Sequence, residues 1–518
     1  MKSKNLMIQG TASDVGKSVI TAGICRVLYQ DGNKVAPFKS QNMSLNSYIT
    51  KDGKEMGRAQ VVQAEAACTE PRCAMNPILM KPTGDMNAQI IFNGEVYGDL
   101  SAIDYHTQKD EFKEKIKKIY KTLDDDYDMI ILEGAGSPAE INLRERDLVN
   151  MGMAELVDSP VVLVGDIDKG GVFASIYGTL ALLTEEERNR VKGVIINKFR
   201  GDITILEPGL KMLEDLINIP VLGVVPYFRL EIDEEDAVSD RLKVVRKAVE
   251  GEINIKIIRM PYMSNFTDFN VLYSLDGINA SYAVNVEELN EADMVIIPGS
   301  KNTIKDLIYL KDMGYDKKLN DLNKKGTYIF GICGGFQMLG TKIINTTKSE
   351  CDIEEIKGLG LLDIVTEFKD TKVTTQIRGE IVSKEGILSG CGEFYIEGYE
   401  IHMGRTVEVK ENAVPFLELR EIQGKDERRI EGYRSKDNRV FGTYVHGIFD
   451  TLSFTRKIAH NIRVEKGISY VEKELDEKTY KQIKDKEYNK LANILRDSLD
   501  MDKIYKILNG ENVERNYK

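Results

Sequence analysis

The chain has 518 residues, which is too long for a single hydrophobic core, so two or three domains are expected. Its composition, 42% hydrophobic and 30% charged residues, is ordinary for a globular protein. The net charge of -12 argues against general nucleic-acid binding, because a surface that follows phosphates needs an excess of lysine and arginine.

Short apolar runs alternate with amphipathic stretches in the first half of the chain. Helical periodicity is clear at Ser18–Tyr29 and Ile205–Ile217. Alternation of this kind is typical of a parallel α/β sheet that is covered on both faces. The predicted strands are Leu6–Gln9, Val35–Phe38, Met129–Leu132, Val161–Gly165, Val194–Ile196 and Val221–Val225.

A glycine-rich turn, Gly10–Ser18, joins the first predicted strand to the first predicted helix. Backbone N–H groups at such a turn bind phosphates, Lys17 would reach the terminal phosphates, and the Ser18 hydroxyl would bind Mg²⁺. The turn has one residue more than the usual P-loop, and in this it resembles the dethiobiotin-synthetase-like branch of P-loop enzymes. The predicted ATP-binding residues are Gly10, Thr11, Ser13, Asp14, Val15, Gly16, Lys17 and Ser18.

Acidic and amide side chains end the later strands of this half. Glu133 follows Met129–Leu132, and ligands bind beyond the carboxyl ends of strands in an open α/β sheet, so Glu133 is a predicted second ligand of the metal. Asp166 and Asp168 end the next strand and are candidates for contacts with metal or substrate. Asn197 ends the strand after that, either near the nucleotide base or in a simple turn.

The pattern breaks after Pro226, where an acidic segment predicts a linker at residues 231–250. A second α/β series follows, and the tail after about residue 470 has helical spacing and many charges, so we expect it to pack on the outside. The strands predicted in this half are Ile253–Ile258, Met294–Ile297, Tyr328–Phe330 and Val440–Tyr444.

The segment Gly331–Gly335 has the pattern of a nucleophile elbow around Cys333. Glycines relieve crowding at the tight turn between a strand and a helix, and the start of the helix favours the thiolate. Cys333 is therefore the predicted nucleophile. The N–H groups of Gly334 and of Gly299, which follows another strand, are the predicted oxyanion donors.

The cysteine needs a general base, and the chain has only four histidines. His446 follows a predicted strand downstream of the cysteine and is the predicted base, with His402 as its competitor. Many amidotransferase glutaminases have Glu two residues after such a histidine, but Ile448 stands at that position here. The sequence therefore reveals no third member of the site, and Asp450 is a candidate for it.

These motifs together resemble the cobyric acid synthase family of glutamine-hydrolysing amidases. The resemblance covers nearly the whole chain up to about residue 450. The matching segments are Gly10–Ser18, Lys39–Ser44, Glu133–Gly136, Gly165–Ala174, Asn197–Asp202, Gly331–Gly335, His402–Thr406 and Thr443–Gly447.

The resemblance implies an N-terminal P-loop amide synthase domain over residues 1–230, a glutamine amidotransferase domain over 251–450 and a charged helical extension over 451–518. It implies ATP- and glutamine-dependent amidation of the b, d, e and g carboxylates of adenosylcobyrinic acid a,c-diamide, or of the form without adenosyl. ATP would form an acyl phosphate, and Mg²⁺ would be held by Ser18 and Glu133.

A corrinoid with several carboxylates needs a locally basic pocket despite the total charge. Lys39 and Asp166 are candidate substrate residues. No contact is assigned to the arginines in or near the matching segments, which are Arg58, Arg144, Arg146 and Arg200.

Composition also predicts where the protein acts and with what kind of partner. The six scattered cysteines, the polar first residues and the lack of an apolar run of about 20 residues predict a cytoplasmic enzyme with small-molecule partners, no nucleic acid and no membrane. The nearest alternative is cobyrinic acid a,c-diamide synthase, which has the same architecture. A partitioning or switch ATPase is the alternative from another class, and it has no use for the elbow at Cys333.

Overall fold

The computed structural model describes residues 3–83, 87–230, 246–468 and 480–516. The chain forms two compact units. The first consists of Met1–Ser44, Met56–Ile232 and Ile483–Lys518, and the second of Leu45–Glu55 and Asp233–Gln482. The predicted boundaries near 230, 250 and 450 stay a prediction, and most of the predicted linker lies outside the described residues. Both units are discontinuous in sequence, which the continuous domains drawn from the sequence did not anticipate.

The secondary structure of the chain up to residue 226 alternates between strands and helices. Its strands are β1 (Lys4–Gly10), β2 (Val35–Phe38), β3 (Gln41–Met43), β4 (Ser47–Ile49), β5 (Glu55–Gly57), β6 (Ile78–Pro82), β7 (Asn87–Phe92), β8 (Glu95–Ser101), β9 (Met129–Glu133), β10 (Val161–Asp166), β11 (Val191–Phe199) and β12 (Val221–Pro226). Its helices are α1 (Lys17–Gln30), α2 (Arg58–Ala66), α3 (Ala102–Asp126), α4 (Met151–Val157), α5 (Val172–Leu182), α6 (Glu185–Arg190) and α7 (Ile203–Ile217).

The rest of the chain begins with a second alternating series and continues into long strands. Its strands are β13 (Ile253–Ile258), β14 (Met263–Ser264), β15 (Ile278–Ala283), β16 (Met294–Ile297), β17 (Gly299–Ser300), β18 (Tyr328–Ile332), β19 (Lys342–Ile344), β20 (Glu355–Lys357), β21 (Ile364–Ile381), β22 (Tyr395–Val409), β23 (Ala413–Ile422), β24 (Lys425–Ser435) and β25 (Val440–Thr443). Its helices are α8 (Asn270–Ser274), α9 (Thr303–Asp312), α10 (Tyr315–Lys324), α11 (Gly334–Leu339), α12 (Leu452–Lys466), α13 (Tyr480–Ser498) and α14 (Met501–Leu508).

The first unit is built on a six-stranded sheet in the order β12-β11-β10-β1-β9-β2, with every described pairing parallel. Its central strands are buried along almost their whole length. Helices cover both faces of such a sheet, so apolar and polar residues do not alternate along these strands. The predicted parallel α/β fold and its six strands are confirmed, with ends shifted by a few residues. A smaller four-stranded sheet, β3-β6-β7-β8, lies outside the prediction.

The C-terminal helices belong to the core of the first unit. Tyr488, Leu491 and Leu495 of α13 are at most 2% exposed and join the hydrophobic cluster of β1 and α1. A Cβ built on Gly23 of α1 would lie 2.3 Å from Cδ1 of Leu495, so the glycine permits the close approach of the two helices. The prediction that the tail packs on the outside is therefore wrong, although its helical character is confirmed.

The second unit is built on an 11-stranded mixed sheet. Strands β15-β13-β16-β18-β25 are parallel neighbours, and an antiparallel part, β24, β23, β21 and β22, continues from β25. The strands predicted at Ile253–Ile258 and Met294–Ile297 agree with β13 and β16. The antiparallel extension was not predicted, because its long strands carry many charged residues on exposed faces.

The same edge of each parallel sheet carries the motifs of interest. The carboxyl ends of β10, β1, β9 and β2 meet in the first unit, and those of β13, β16, β18 and β25 meet in the second. Chemistry-bearing residues that are far apart in sequence are thereby brought together at these two edges. Among the described residues, none of the helices combines the length and the apolar character that crossing a membrane requires.

Candidate active sites

The glycine-rich turn of the first unit lies between β1 and α1, where the sequence predicted it. Lys17 is the first residue of α1, and its Nζ donates to the carbonyl oxygens of Ala12 at 2.8 Å and Gly136 at 3.1 Å. The ammonium is therefore held over the turn by backbone oxygens from two loops.

Gly16 has a backbone that favours glycine, with φ of +96°. A Cβ at this position would lie 2.2 Å from Nδ2 of Asn197, which donates to the carbonyl oxygen of Val15 at 2.9 Å. Asn197 thus fixes the turn from β11. This contact explains both the glycine and the asparagine of the motif.

Glu133 ends β9 and is the centre of a buried polar cluster. It is 1% exposed, and it accepts hydrogen bonds from the Ser18 hydroxyl at 2.7 Å and from Lys39 Nζ at 2.9 Å. Its other carboxylate oxygen accepts from Nε2 of Gln63 on α2. The structure therefore brings together the predicted metal ligands Ser18 and Glu133 and the predicted substrate residue Lys39.

The oxygens of Ser18 and Glu133 fit a magnesium ion. A hydroxyl and a carboxylate are hard oxygen donors, and Mg²⁺ in nucleotide sites binds through one or two carboxylates and the phosphates of its substrate. In keeping with this sparse use of protein ligands, no cluster of three His, Cys, Asp or Glu side chains suited to a metal occurs in the described part of the chain.

Asp166 and Asp168 contact basic residues of the β11 end. Oδ2 of Asp166 accepts from Lys198 Nζ at 2.9 Å, and Lys198 also donates to the carbonyl oxygen of Asp14 in the glycine-rich turn. Asp168 pairs with Arg200 at 2.8 Å. Both carboxylates therefore lie at the expected edge of the sheet, and Asp166 is connected through Lys198 to the turn.

Cys333 of the second unit lies between β18 and α11 with φ of 50° and ψ of -105°, a strained backbone for a residue with a side chain. Its N–H donates to the Thr443 carbonyl at 2.8 Å, which ties the turn to β25. A Cβ on Gly335 would lie 2.0 Å from the carbonyl oxygen of Ile297. The elbow thus depends on a glycine where the turn passes directly over β16.

His446 follows β25, and Cys333 is close enough to raise the pKa of its imidazole. Nδ1 of His446 is 2.6 Å from Oδ2 of Asp268, and the other oxygen of Asp268 accepts from the N–H of Gly447 at 3.2 Å. Asp268 is 5% exposed and lies in the 3-10 turn Phe266–Phe269. The arrangement is a cysteine, a histidine and a carboxylate in series, which is the geometry of an activated nucleophile.

Burial disfavours the charged form of His446, but the negative charge of Asp268 and the pairing with Cys333 outweigh it and raise the pKa of His446 to about 10. The imidazole is therefore protonated at neutral pH. Because Asp268 contacts Nδ1, the proton on Nε2 is the one available for proton transfer.

The two predicted oxyanion residues lie near the cysteine–histidine pair. Gly334 is so close to β17 that a Cβ would lie 2.8 Å from the backbone N of Ser300. A Cβ on Gly299 would lie 3.1 Å from Cε1 of His446. Their role as donors stays a prediction.

The competing histidine, His402, belongs to a different buried network. Its Nδ1 is 2.7 Å from the Gly404 carbonyl, its Nε2 is 3.5 Å from Glu400, and its ring stacks on Tyr444 with centroids 4.0 Å apart.

The neighbouring Glu431 accepts from the hydroxyl of Thr443 and the N–H of Tyr444. Burial, followed by the charge of Glu400, raises the pKa of Glu431 above its usual range.

Asp268 and Asn265 are the residues that the sequence did not reveal. The candidate Asp450 follows His446 closely in sequence, but the carboxylate beside the imidazole comes from a segment 178 residues upstream. The sequence offered one signal for Asp268. This residue follows the predicted strand Ile253–Ile258, and the loops at the carboxyl ends of parallel strands meet at one edge of the sheet.

Comparisons with known proteins agree with this division of the chain. The family described as CobQ/CobB/MinD/ParA nucleotide binding domain matches residues 6–236. The family described as CobB/CobQ-like glutamine amidotransferase domain matches residues 254–454. The first contains the glycine-rich turn and Glu133, and the second contains Cys333, His446 and Asp268.

Curated relatives match along nearly the whole chain. A cobyric acid synthase of Alkaliphilus metalliredigens is 52% identical over 98% of this chain and 100% of its own length. A cobyric acid synthase of Clostridium botulinum strain 657 is 52% identical over 97% of this chain and 99% of its own. A solved structure of PurLQS from Thermotoga maritima is 17% identical and covers 40% of this chain and 98% of its own, with a TM-score of 0.31.

Proposed function

The chain belongs to the cobyric acid synthase family, and from this premise we propose that it amidates the b, d, e and g carboxylates of adenosylcobyrinic acid a,c-diamide or of its non-adenosylated form. The relatives that are 52% identical over almost their whole length make it a glutamine amidotransferase-type ligase. The observation that carries the chemical proposal is the series Cys333, His446 and Asp268 in a chain that also holds a P-loop.

In the glutaminase half-reaction, the Cys333 thiolate attacks the side-chain amide carbon of glutamine. The N–H groups of Gly334 and Gly299 are proposed to stabilise the oxyanion. His446, protonated at neutral pH, gives its proton to the departing nitrogen as the C–N bond breaks, so ammonia leaves and a thioester remains. Water then cleaves the thioester with His446 as base, which releases glutamate and restores the thiolate.

In the synthase half-reaction, a substrate carboxylate attacks the γ-phosphate of ATP, and ADP leaves. Lys17 is proposed to neutralise charge on the transferring phosphoryl group from its position at the start of α1. Ammonia then attacks the acyl phosphate, so the amide forms and phosphate leaves. The family match of residues 6–236 to a nucleotide binding domain supports this assignment.

Ser18 and Glu133 would hold Mg²⁺, since they are adjacent oxygen donors at the end of β9. The metal would supply positive charge to the phosphates of ATP. Lys39 is proposed to meet the transferring phosphate or the substrate carboxylate, because it shares Glu133 with Ser18. Asp166 is proposed to act at the same edge through Lys198 and the turn.

The proposed partners are small molecules: the corrinoid polycarboxylate, glutamine and ATP. We propose a cytoplasmic enzyme, which is supported by the lack of disulfides among the described cysteines, because a reducing compartment keeps thiols reduced. The diamide synthase of the same pathway is the second candidate. It would change the a and c carboxylates instead, so the product separates the two.

The roles of the two units are tested with a Cys333→Ala variant. Wild type is expected to form amide with either glutamine or ammonium in the presence of ATP and Mg²⁺. The variant is expected to lose the glutamine-dependent reaction and keep the ammonium-dependent one. Glutamine hydrolysis by Cys333→Ala at the wild-type rate would contradict the proposed nucleophile.

A further inference from the structure

Residues Leu45–Glu55 belong to the second unit, although the nucleotide-binding family matches the chain around them. They form a tight hairpin in which the N–H of Thr50 donates to the Lys54 carbonyl at 2.8 Å and the N–H of Gly53 donates back to Thr50 at 2.9 Å. Much of the hairpin is buried, with Asn46 at 1% and Ser47 at 0% exposure. A short segment from the synthase half of the sequence is therefore a built-in part of the glutaminase unit.

The hairpin and the segment that carries Asp268 hold each other at two points. Oδ1 of Asn46 accepts from the N–H of Phe266 at 3.1 Å, and Oδ1 of Asn265 accepts from the N–H of Ser47 at 2.9 Å. Phe266 begins the 3-10 turn that contains Asp268. The hairpin thus fixes the start of the turn whose carboxylate orients His446.

Asn265 also contacts the imidazole itself. Its Nδ2 is 3.4 Å from both ring nitrogens of His446, so the amide lies against the face of the ring. The backbone of Asn265 is left-handed, with φ of 51°, and asparagine tolerates this conformation better than most residues. One side chain therefore joins the hairpin backbone to the proposed acid–base group.

Tyr399 forms the second connection. Its hydroxyl donates to the Ser47 carbonyl at 3.0 Å, and its ring stacks on His446 with centroids 5.3 Å apart. The backbones of Tyr399 and His446 also exchange hydrogen bonds of 3.2 and 2.9 Å. The imidazole is thus held between Tyr399 and Asn265, and both of these bond to Ser47 of the hairpin.

We propose that Asn46, Asn265 and Tyr399 are positioning residues for His446, with the hairpin Leu45–Glu55 as their common support. This inference rests on the proposed roles of Cys333 and His446. Its physical basis is that an acid–base group displaced by about 1 Å loses on the order of 100-fold in rate.

The test uses the full chain with Asn46→Ala, which removes the acceptor of the Phe266 N–H. We expect kcat for glutamine hydrolysis to fall about 10-fold or more, while KM for glutamine and the ammonium-dependent amidation stay near wild type.

Asn279→Ala is the matched control. Asn279 is also buried in the second unit, and its side chain donates two hydrogen bonds, neither of which goes to His446 or to the hairpin. Tyr399→Phe is a milder second variant that keeps the ring on His446 and removes the hydroxyl that donates to the Ser47 carbonyl. It should lower kcat in the same direction, so the inference stays testable if Asn46→Ala does not fold.

The outcomes separate this inference from the proposed function. If Cys333→Ala is inactive with glutamine but Asn46→Ala and Tyr399→Phe match Asn279→Ala, the positioning role is wrong. An equal fall in ammonium-dependent amidation would also overturn it, because that result indicates a general loss of structure. Continued glutamine hydrolysis by Cys333→Ala would instead refute the proposed function.

Discussion

His446 is buried to 1% exposure, where an isolated imidazolium would be unstable. Burial lowers its pKa, but Asp268 at 2.6 Å and the paired Cys333 raise the pKa to about 10. The charged ring is thus kept by two acidic partners. In the proposed mechanism this arrangement lets the histidine begin the reaction as an acid, which suits a leaving group that departs as ammonia.

Replacing Asp268 by Asn tests this electrostatic arrangement. The change removes a negative charge that raises the pKa of His446, so the pKa falls and the alkaline limb of the glutaminase pH profile moves to lower pH. Loss of the orienting carboxylate should also lower kcat by about 100-fold or more. The pH dependence of kcat, measured as ammonia release from glutamine, gives both quantities.

Asp450→Asn is the matched control for that variant, because Asp450 is the carboxylate that follows His446 most closely in sequence. It should keep kcat within a few-fold of wild type and leave the pH profile in place. An unchanged profile for Asp268→Asn, or a loss in Asp450→Asn as large as in Asp268→Asn, would show that Asp268 does not orient the histidine.

Gly16 leaves no room for a side chain in the glycine-rich turn that is proposed to bind phosphate. Gly16→Ala adds a Cβ at a φ of +96° and 2.2 Å from Nδ2 of Asn197, so the turn must shift. We expect ammonium-dependent amidation to fall below about 1% of wild type, since phosphate positioning depends on the backbone of this turn.

The same Gly16→Ala variant should keep its basal hydrolysis of glutamine, measured without ATP. Gly178→Ala is its control, because Gly178 lies within α5 and nothing lies within 4 Å of an added Cβ. Ammonium-dependent amidation by Gly16→Ala at the level of Gly178→Ala would contradict the proposed role of the turn.

At the scale of elements, the C-terminal helix α13 is the clearest difference between expectation and structure. Its apolar residues recur at helical spacing in the sequence, which is why its secondary structure was predicted. The spacing does not identify the partner of the apolar face. That partner is α1, which begins at residue 17, so the contact joins parts of the chain that are more than 450 residues apart.

Leu495→Ala should therefore destabilise the first unit. The side chain is 0% exposed and lies against Gly23. Its removal leaves a cavity that should lower the free energy of unfolding by about 2 to 5 kcal/mol. Urea unfolding, followed by loss of ATP-dependent activity, measures the effect.

Leu216→Ala on α7 is the control for this cavity, because Leu216 is 57% exposed and its truncation should cost less than about 0.5 kcal/mol. Equal stabilities for the two variants would mean that α13 contributes little to the core of the first unit.

Across the whole molecule, local patterns predicted what depends on neighbours in sequence. The strands β2, β13 and β16 have the predicted bounds, and the turns at Gly16 and Cys333 have the positive φ that their glycine-rich surroundings indicated. Each of these features is set by a few adjacent residues and by burial of one strand.

The features that escaped prediction all depend on long-range contacts. Asp268 meets His446 across 178 residues, and Asn265 meets the hairpin residue Ser47 across 218. The charge and spacing of residues within a segment do not predict which distant segment they will contact. The order of strands in the sheet was the missing information, because it decides which loops share an edge.

The proposed enzyme makes ammonia at Cys333 and uses it to amidate a corrinoid. The decisive measurement is the product mass after incubation with ATP, Mg²⁺, glutamine and adenosylcobyrinic acid a,c-diamide, since each amidation replaces an OH by NH₂. We expect stepwise mass changes up to the product amidated at b, d, e and g, absent in Cys333→Ala with glutamine and restored by ammonium. An unchanged mass with wild type on this substrate would contradict it.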